Sequence, residues 1–160
     1  MVAEKGIDMD NITTLWGVML IVFGIITSVI DIKTKKVPNS LVLVMFIAWL
    51  LTMTPMLFIN TQEATTKIFD SGLGFLLGGG LLLLVYVISR KGLGGGDVKF
   101  MAAAGLYLGF YSVIPAMFFG SVLAALTVLT LLLLKKMKRK DTIPLTPFLS
   151  IGMIVAVLLR

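Results

Sequence analysis

The chain has no cysteine and no histidine among its 160 residues. The first absence excludes disulfides, thiolate–zinc sites and cysteine nucleophiles, and the second excludes Ser–His and Cys–His triads. Acid–base chemistry is left to carboxylates, Lys and Tyr. Charge is scarce as well: charged residues make up 14%, against roughly 25% in soluble domains. That is too little to coat a 17.3 kDa globule in water. Hydrophobic residues reach 58% and the mean hydropathy is +1.05, which excludes a disordered chain. Acidic residues are outnumbered 8 to 14 by basic ones, a net charge of +6. In so apolar a chain that excess reads first as membrane topology and only second as nucleic-acid affinity.

What the sequence does have is long uncharged runs. Ile12–Ile30, Leu41–Ile59, Ile68–Ser89 and Ile143–Leu159 are each of membrane-spanning length, the third carrying Asp70 near its start. The first is not read as a cleavable signal peptide, because Glu4, Asp8 and Asp10 precede it and no small-residue cleavage site follows. The run Phe100–Leu134 has no charge over 35 residues. As one helix it would measure about 52 Å, far more than the roughly 30 Å hydrocarbon core. Basic residues follow the first span (Lys33, Lys35, Lys36), the third (Arg90, Lys91, Lys99) and the long run (Lys135, Lys136, Lys138, Arg139, Lys140). Placing these clusters on the cytoplasmic side leaves only Lys5, Lys67 and Arg160 outside. That requires the long run to cross and return, turning near Gly109–Pro115. The expectation is one all-α integral membrane domain over residues 1–160, a bundle of about six transmembrane helices (12–30, 41–59, 68–89, 100–113, 116–134 and 143–159) with both termini outside. Gly74-x-x-x-Gly78 in the third span permits close helix approach.

Ionisable groups in or beside membrane spans are costly and mark function. Asp141 sits among basic residues as a solvated charge. Asp70 is expected at the outer start of the third span, complementing its dipole. Asp31 ends the first span, and Asp97 follows the glycines of Lys91-Gly-Leu-Gly-Gly-Gly-Asp97-Val-Lys99. Both fall at the same membrane face, 66 positions apart. Two carboxylates at hydrogen-bonding distance do not both ionise readily. The ionised one takes a proton from water as it attacks an amide carbonyl, and the protonated one polarises that carbonyl. Such hydrolysis needs no Ser, Cys, His or metal. The competing reading is that Asp31 caps one helix end and Asp97 the start of the next. Gly94 and Gly96 allow close approach of an extended peptide.

Three segments carry a resemblance. Asp31-Ile-Lys-Thr-Lys-Lys-Val-Pro38-Asn39, Gly94-Gly-Gly96-Asp97-Val98-Lys99 and Ile143-Pro144-Leu-Thr-Pro147-Phe148-Leu149 resemble the motif regions of the type IV prepilin peptidases, Gly-x-Gly-Asp intramembrane aspartyl proteases. The third departs from the common pattern, having Leu145 and Thr146 where the family often has Phe and Gly. The resemblance implies that Asp31 and Asp97 are the catalytic pair. It implies a substrate that is a prepilin-like or preflagellin-like precursor, whose basic leader is cut after a glycine at the cytoplasmic face. Gly94, Gly96 and Lys99 are candidates for substrate contact. Long bacterial members carry a further cytoplasmic region with paired cysteines and N-methylate the new terminus. This chain lacks that region and looks like the short members, so neither methyl transfer nor any cofactor or metal is expected.

Two other readings compete with this one. A signal-peptide-peptidase-like protease is disfavoured because no Tyr precedes Asp31 and no Pro-Ala-Leu occurs near the C-terminus. A small transporter or channel would use two acids to line an ion path. Its acids are expected near mid-membrane, not at one rim.

Overall fold

The computed structural model describes residues 9–89, 93–136 and 143–159. Glu4, Lys5, Asp8, Arg90, Lys91, Lys138, Arg139, Lys140, Asp141 and Arg160, which the charge argument used, lie outside the described residues. The described residues form helices α1 (Met9–Thr34), α2 (Asn39–Ile59), α3 (Thr61–Ile88), α4 (Gly95–Leu133) and α5 (Thr146–Leu158). The first four are long and apolar enough to cross a membrane. Large apolar side chains such as Leu51, Phe58, Phe69 and Leu76 face outward, as expected where the surroundings are hydrocarbon.

α4 is two helices. Gly109, at φ 73° and ψ 178°, breaks it into arms of residues 95–108 and 110–133. That backbone conformation is essentially open to glycine alone. Contacts with α3 show that the arms fold back on each other. Gly74 faces Gly105 and Gly109, whereas Gly78, one turn on, faces Met101 and Val113. As α3 advances, the first arm is met in descending order and the second in ascending order, so the chain reverses at Gly109. The turn is at the start of the expected Gly109–Pro115 interval, and Pro115 lies inside the second arm.

Asp70 departs from expectation. α3 begins at Thr61, where the Asn60 side chain accepts the Glu63 N–H at 3.3 Å, so Asp70 lies inside the helix and not at its start. It complements a different helix. Its Oδ1 accepts the Phe110 N–H at 3.0 Å, the first donor of the second α4 arm. A helix start leaves N–H groups without an intrahelical partner, and a carboxylate there satisfies both a donor and the dipole. The apolar pattern of residues 68–89 hid this because the polar residues 61–67 continue the helix.

The remaining packing positions the site. Gly120 and Gly152 bring the second α4 arm against α5; a Cβ on Gly120 would lie 2.9 Å from the Leu149 Cα. α5 runs antiparallel to α1, with Val157 beside Gly17 and Ser150 beside Gly24. The Ser28 hydroxyl donates to Ser150 Oγ at 2.9 Å, and the Ser150 hydroxyl donates to the Gly24 carbonyl at 3.1 Å. The core behind is aromatic: Trp16 meets Tyr107 edge-on with centroids 6.1 Å apart, and Trp16 Nε1 donates to Thr52 Oγ1 at 2.9 Å.

Candidate active site

Three helix ends converge at one end of the bundle. Asp31 lies in the last turn of α1, Asp97 in the first turn of α4, and Thr146 is the first residue of α5. Asp31 is 3% exposed, Asp97 7% and Thr146 0%. The Thr146 hydroxyl donates to Asp97 Oδ1 at 2.6 Å. The Thr146 backbone N–H donates to Asp31 Oδ2 at 3.3 Å. One residue thus joins two carboxylates that lie 66 positions apart in sequence.

Capping does not explain this arrangement. A carboxylate in the last turn of a helix opposes the macrodipole, so Asp31 is badly placed to stabilise α1. Asp97 has a partial capping role. The N-cap of α4 is Gly94, and its N–H reaches the Asp97 carboxylate, one half of a capping box. The other side of that carboxylate is turned to Thr146. No Lys or Arg is buried among the described residues.

The glycines shape this site through backbone packing. Gly96 lies against the α1–α2 connection, where a Cβ would stand 2.9 Å from Val37 Cβ and 3.2 Å from its N. Gly94 borders the carboxylate itself: a Cβ there would stand 2.7 Å from Asp97 Oδ2. Lys99 is exposed and donates from Nζ to Asn39 Oδ1 at 3.1 Å, tying α4 to the start of α2, which Pro38 precedes as N-cap. The structure therefore brings Asp31, Asp97 and Gly94 together, and places Lys99 toward α2. Thr146 lies in the third motif, where the sequence alone gives it no role. Its departure from the common pattern was the one sequence signal that marked it. On the side where Lys99 meets Asn39, a groove of about 410 Å³ opens between α2, α3 and the first α4 arm, lined by Val42, Leu43, Phe46, Phe75, Lys99 and Ala103.

Gly94→Ala is a sharp probe. The atom in its way is the end of a side chain, so the fold yields cheaply and the carboxylate is displaced. Where a carboxylate takes part in catalysis, a displacement of about 1 Å costs on the order of 100-fold in rate. We expect that loss with unchanged membrane accumulation, whereas Gly95→Ala, whose Cβ among the described residues meets Tyr86 at 3.9 Å, retains activity. Initial cleavage rates per amount of membrane-extracted protein compare the two.

An all-helical membrane bundle with paired buried acids at one end is the class of protein that these features define. Residues 18–129 match the type IV leader peptidase family, and the chain belongs to that family. It is 28% identical over 142 residues to a prepilin leader peptidase/N-methyltransferase of Bacillus subtilis strain 168, covering 89% of this chain and 54% of that protein. A protein of the same name from Escherichia coli K12 is 30% identical over 138 residues, covering 83% and 58%. Another from Pectobacterium carotovorum subsp. carotovorum is 31% identical over 147 residues, covering 86% and 49%. The chain spans about half the length of these curated relatives. No solved structure matches it significantly.

Proposed function

We propose that this membrane protein is an intramembrane aspartyl endopeptidase that removes the basic leader of type IV prepilin-like or preflagellin-like precursors at the cytoplasmic face. The observation that carries the reading is the meeting of the buried Asp31 and Asp97 on Thr146. Buried acids are costly in a membrane protein and are retained for function. The family match supports the substrate class.

The chemistry follows from the pair. One aspartate is ionised and one carries a proton, since neighbouring carboxylates resist double ionisation. The ionised one takes a proton from water as the water oxygen bonds to the scissile carbonyl carbon. The protonated one gives its proton to the carbonyl oxygen, forming a gem-diol. Collapse breaks the C–N bond, the nitrogen receives a proton from the aspartate that first took one, and the other aspartate recovers its proton from the diol. The new carboxyl and amine leave with the dyad restored. The groove between α2, α3 and the first α4 arm is apolar along Val42, Leu43, Phe46 and Phe75 and offers the precursor's apolar segment a place, while the basic leader remains in water.

The test is direct. Purified protein mixed with a prepilin-like precursor in detergent should release the leader, with mass spectrometry placing the cut after a glycine. Reporter fusions should place Gln62 outside and Lys138 in the cytoplasm. An intact precursor in the presence of folded protein overturns the reading, and reversed reporters overturn its orientation.

A further inference from the structure

We propose that Thr146 is the positioning residue of the aspartate pair, its hydroxyl holding Asp97 and its backbone N–H holding Asp31 so that the gap between the carboxylates is set by one residue. The inference rests on the aspartyl reading above and goes beyond it, because neither acid–base chemistry nor family membership requires a hydroxyl at this place.

Three observations carry it. First, Thr146 is fully buried and bonds to both carboxylates, at 2.6 Å through Oγ1 and 3.3 Å through its N. Second, its own position is fixed. It begins α5, Pro147 follows it, and one turn further Ser150 is bonded to Ser28 and to the Gly24 carbonyl of α1. The start of α5 is therefore anchored to the helix that carries Asp31. Third, the two donors differ in kind. A backbone N–H only donates, so Asp31 Oδ2 is held as an acceptor. A hydroxyl donates or accepts, so it serves Asp97 Oδ1 whether or not that oxygen carries the proton. As protons move through the pair during hydrolysis, the hydroxyl turns and no heavy atom shifts. The N–H is also one of the unpaired donors at the start of α5, so the positive end of that helix points at Asp31.

Packing and positioning roles make opposite forecasts for conservative variants. Thr146→Val keeps the shape and the backbone N–H but loses the hydroxyl. Thr146→Ser keeps the hydroxyl but loses a buried methyl. If Thr146 only filled space, Ser would be the worse enzyme. Positioning makes Val the worse one. A hydrogen bond to a charged group supports a fall in kcat of about 10- to 100-fold for Val. KM should stay within about threefold of the parent, and Ser within about threefold of the parent kcat. Thr146→Ala serves where Val fails to accumulate, since Ser and Ala differ only by the hydroxyl, and Ala should fall as Val does. Steady-state cleavage of a prepilin-like precursor, with Asp31→Asn and Asp97→Asn in the same assay, reads all of these. Val at the parent kcat, or Ser falling as far as Ala, overturns the role of Thr146 while two inactive Asn variants leave the aspartyl reading standing. Cleavage by either Asn variant overturns the aspartyl reading itself.

Discussion

Asp31→Asn and Asp97→Asn should each lower precursor cleavage by about 1,000-fold or more, the upper part of the range for removing a positioned acid or base. The substitution is close to isosteric. The Asn carbonyl still accepts the Thr146 hydroxyl at position 97 or its N–H at position 31, so the folded core survives. What disappears is the capacity to take and return a proton. The double variant should be no slower than either single one, because two groups that act as a unit do not lose their contributions additively. Cleavage is followed by the mobility of the precursor in membranes, with the amount of each variant measured alongside. Two inactive, normally accumulating variants fit the account; an active one removes that aspartate from the reaction.

The second large effect is on the fold. Gly105→Ala should strongly destabilise the bundle. A Cβ on Gly105 would overlap the Gly74 carbonyl and stand 2.5 Å from the Gly74 carbonyl carbon and 2.9 Å from the Phe75 N. These are backbone atoms of α3, so no rotamer change relieves the contact and the helices must separate. Overpacking of this kind costs about 1–3 kcal/mol, and in a membrane bundle close approach of small residues is what holds helices together. Separation would also loosen the reversal at Gly109, whose Phe110 N–H is held by Asp70 of α3. Gly72→Ala and Gly80→Ala are the controls: among the described residues nothing stands within 4 Å of a Cβ at either position. Both should fold as well as the parent, because Ala favours a helix over Gly by about 0.5–1 kcal/mol. Trp16 and Trp49 are both buried, so thermal unfolding in detergent followed by tryptophan fluorescence compares the variants. A lowered midpoint for Gly105→Ala alone is expected; equal midpoints for all three would contradict the packing account.

How far the sequence could be read depended on the kind of signal. The helices were legible because hydrocarbon thickness fixes the length of an apolar run. The reversal in Phe100–Leu134 was legible because one straight helix would be too long and would put a basic cluster on the wrong side. Boundaries were less so: polarity at residues 61–67 hid the first turns of α3, where Asn60 caps the helix. Asp70 was visible as an acid near a membrane segment, but its partner lies 40 positions on, and local pattern carries no such information. The same limit applied at the site. Asp31 and Asp97 stood out by charge and glycine context. The bond between Thr146 and Asp31 spans 115 positions, and only the antiparallel packing of α5 on α1 discloses it. Lys99 stood two residues from Asp97 in sequence, yet the helix turn carries its side chain to Asn39.

The central claim is that Asp31 and Asp97 meet in the folded membrane protein, and the absence of native cysteine makes it directly measurable. Asp31→Cys combined with Asp97→Cys is treated in membranes with a short bifunctional thiosulfonate. Ser28→Cys with Ser150→Cys, whose hydroxyls lie 2.9 Å apart, is the positive control. Asp31→Cys with Gln62→Cys, separated by the 21-residue length of α2, is the negative one. The account predicts an intramolecular cross-link between positions 31 and 97 as efficient as the 28–150 control. A cross-linked control with an unlinked 31–97 pair would contradict it.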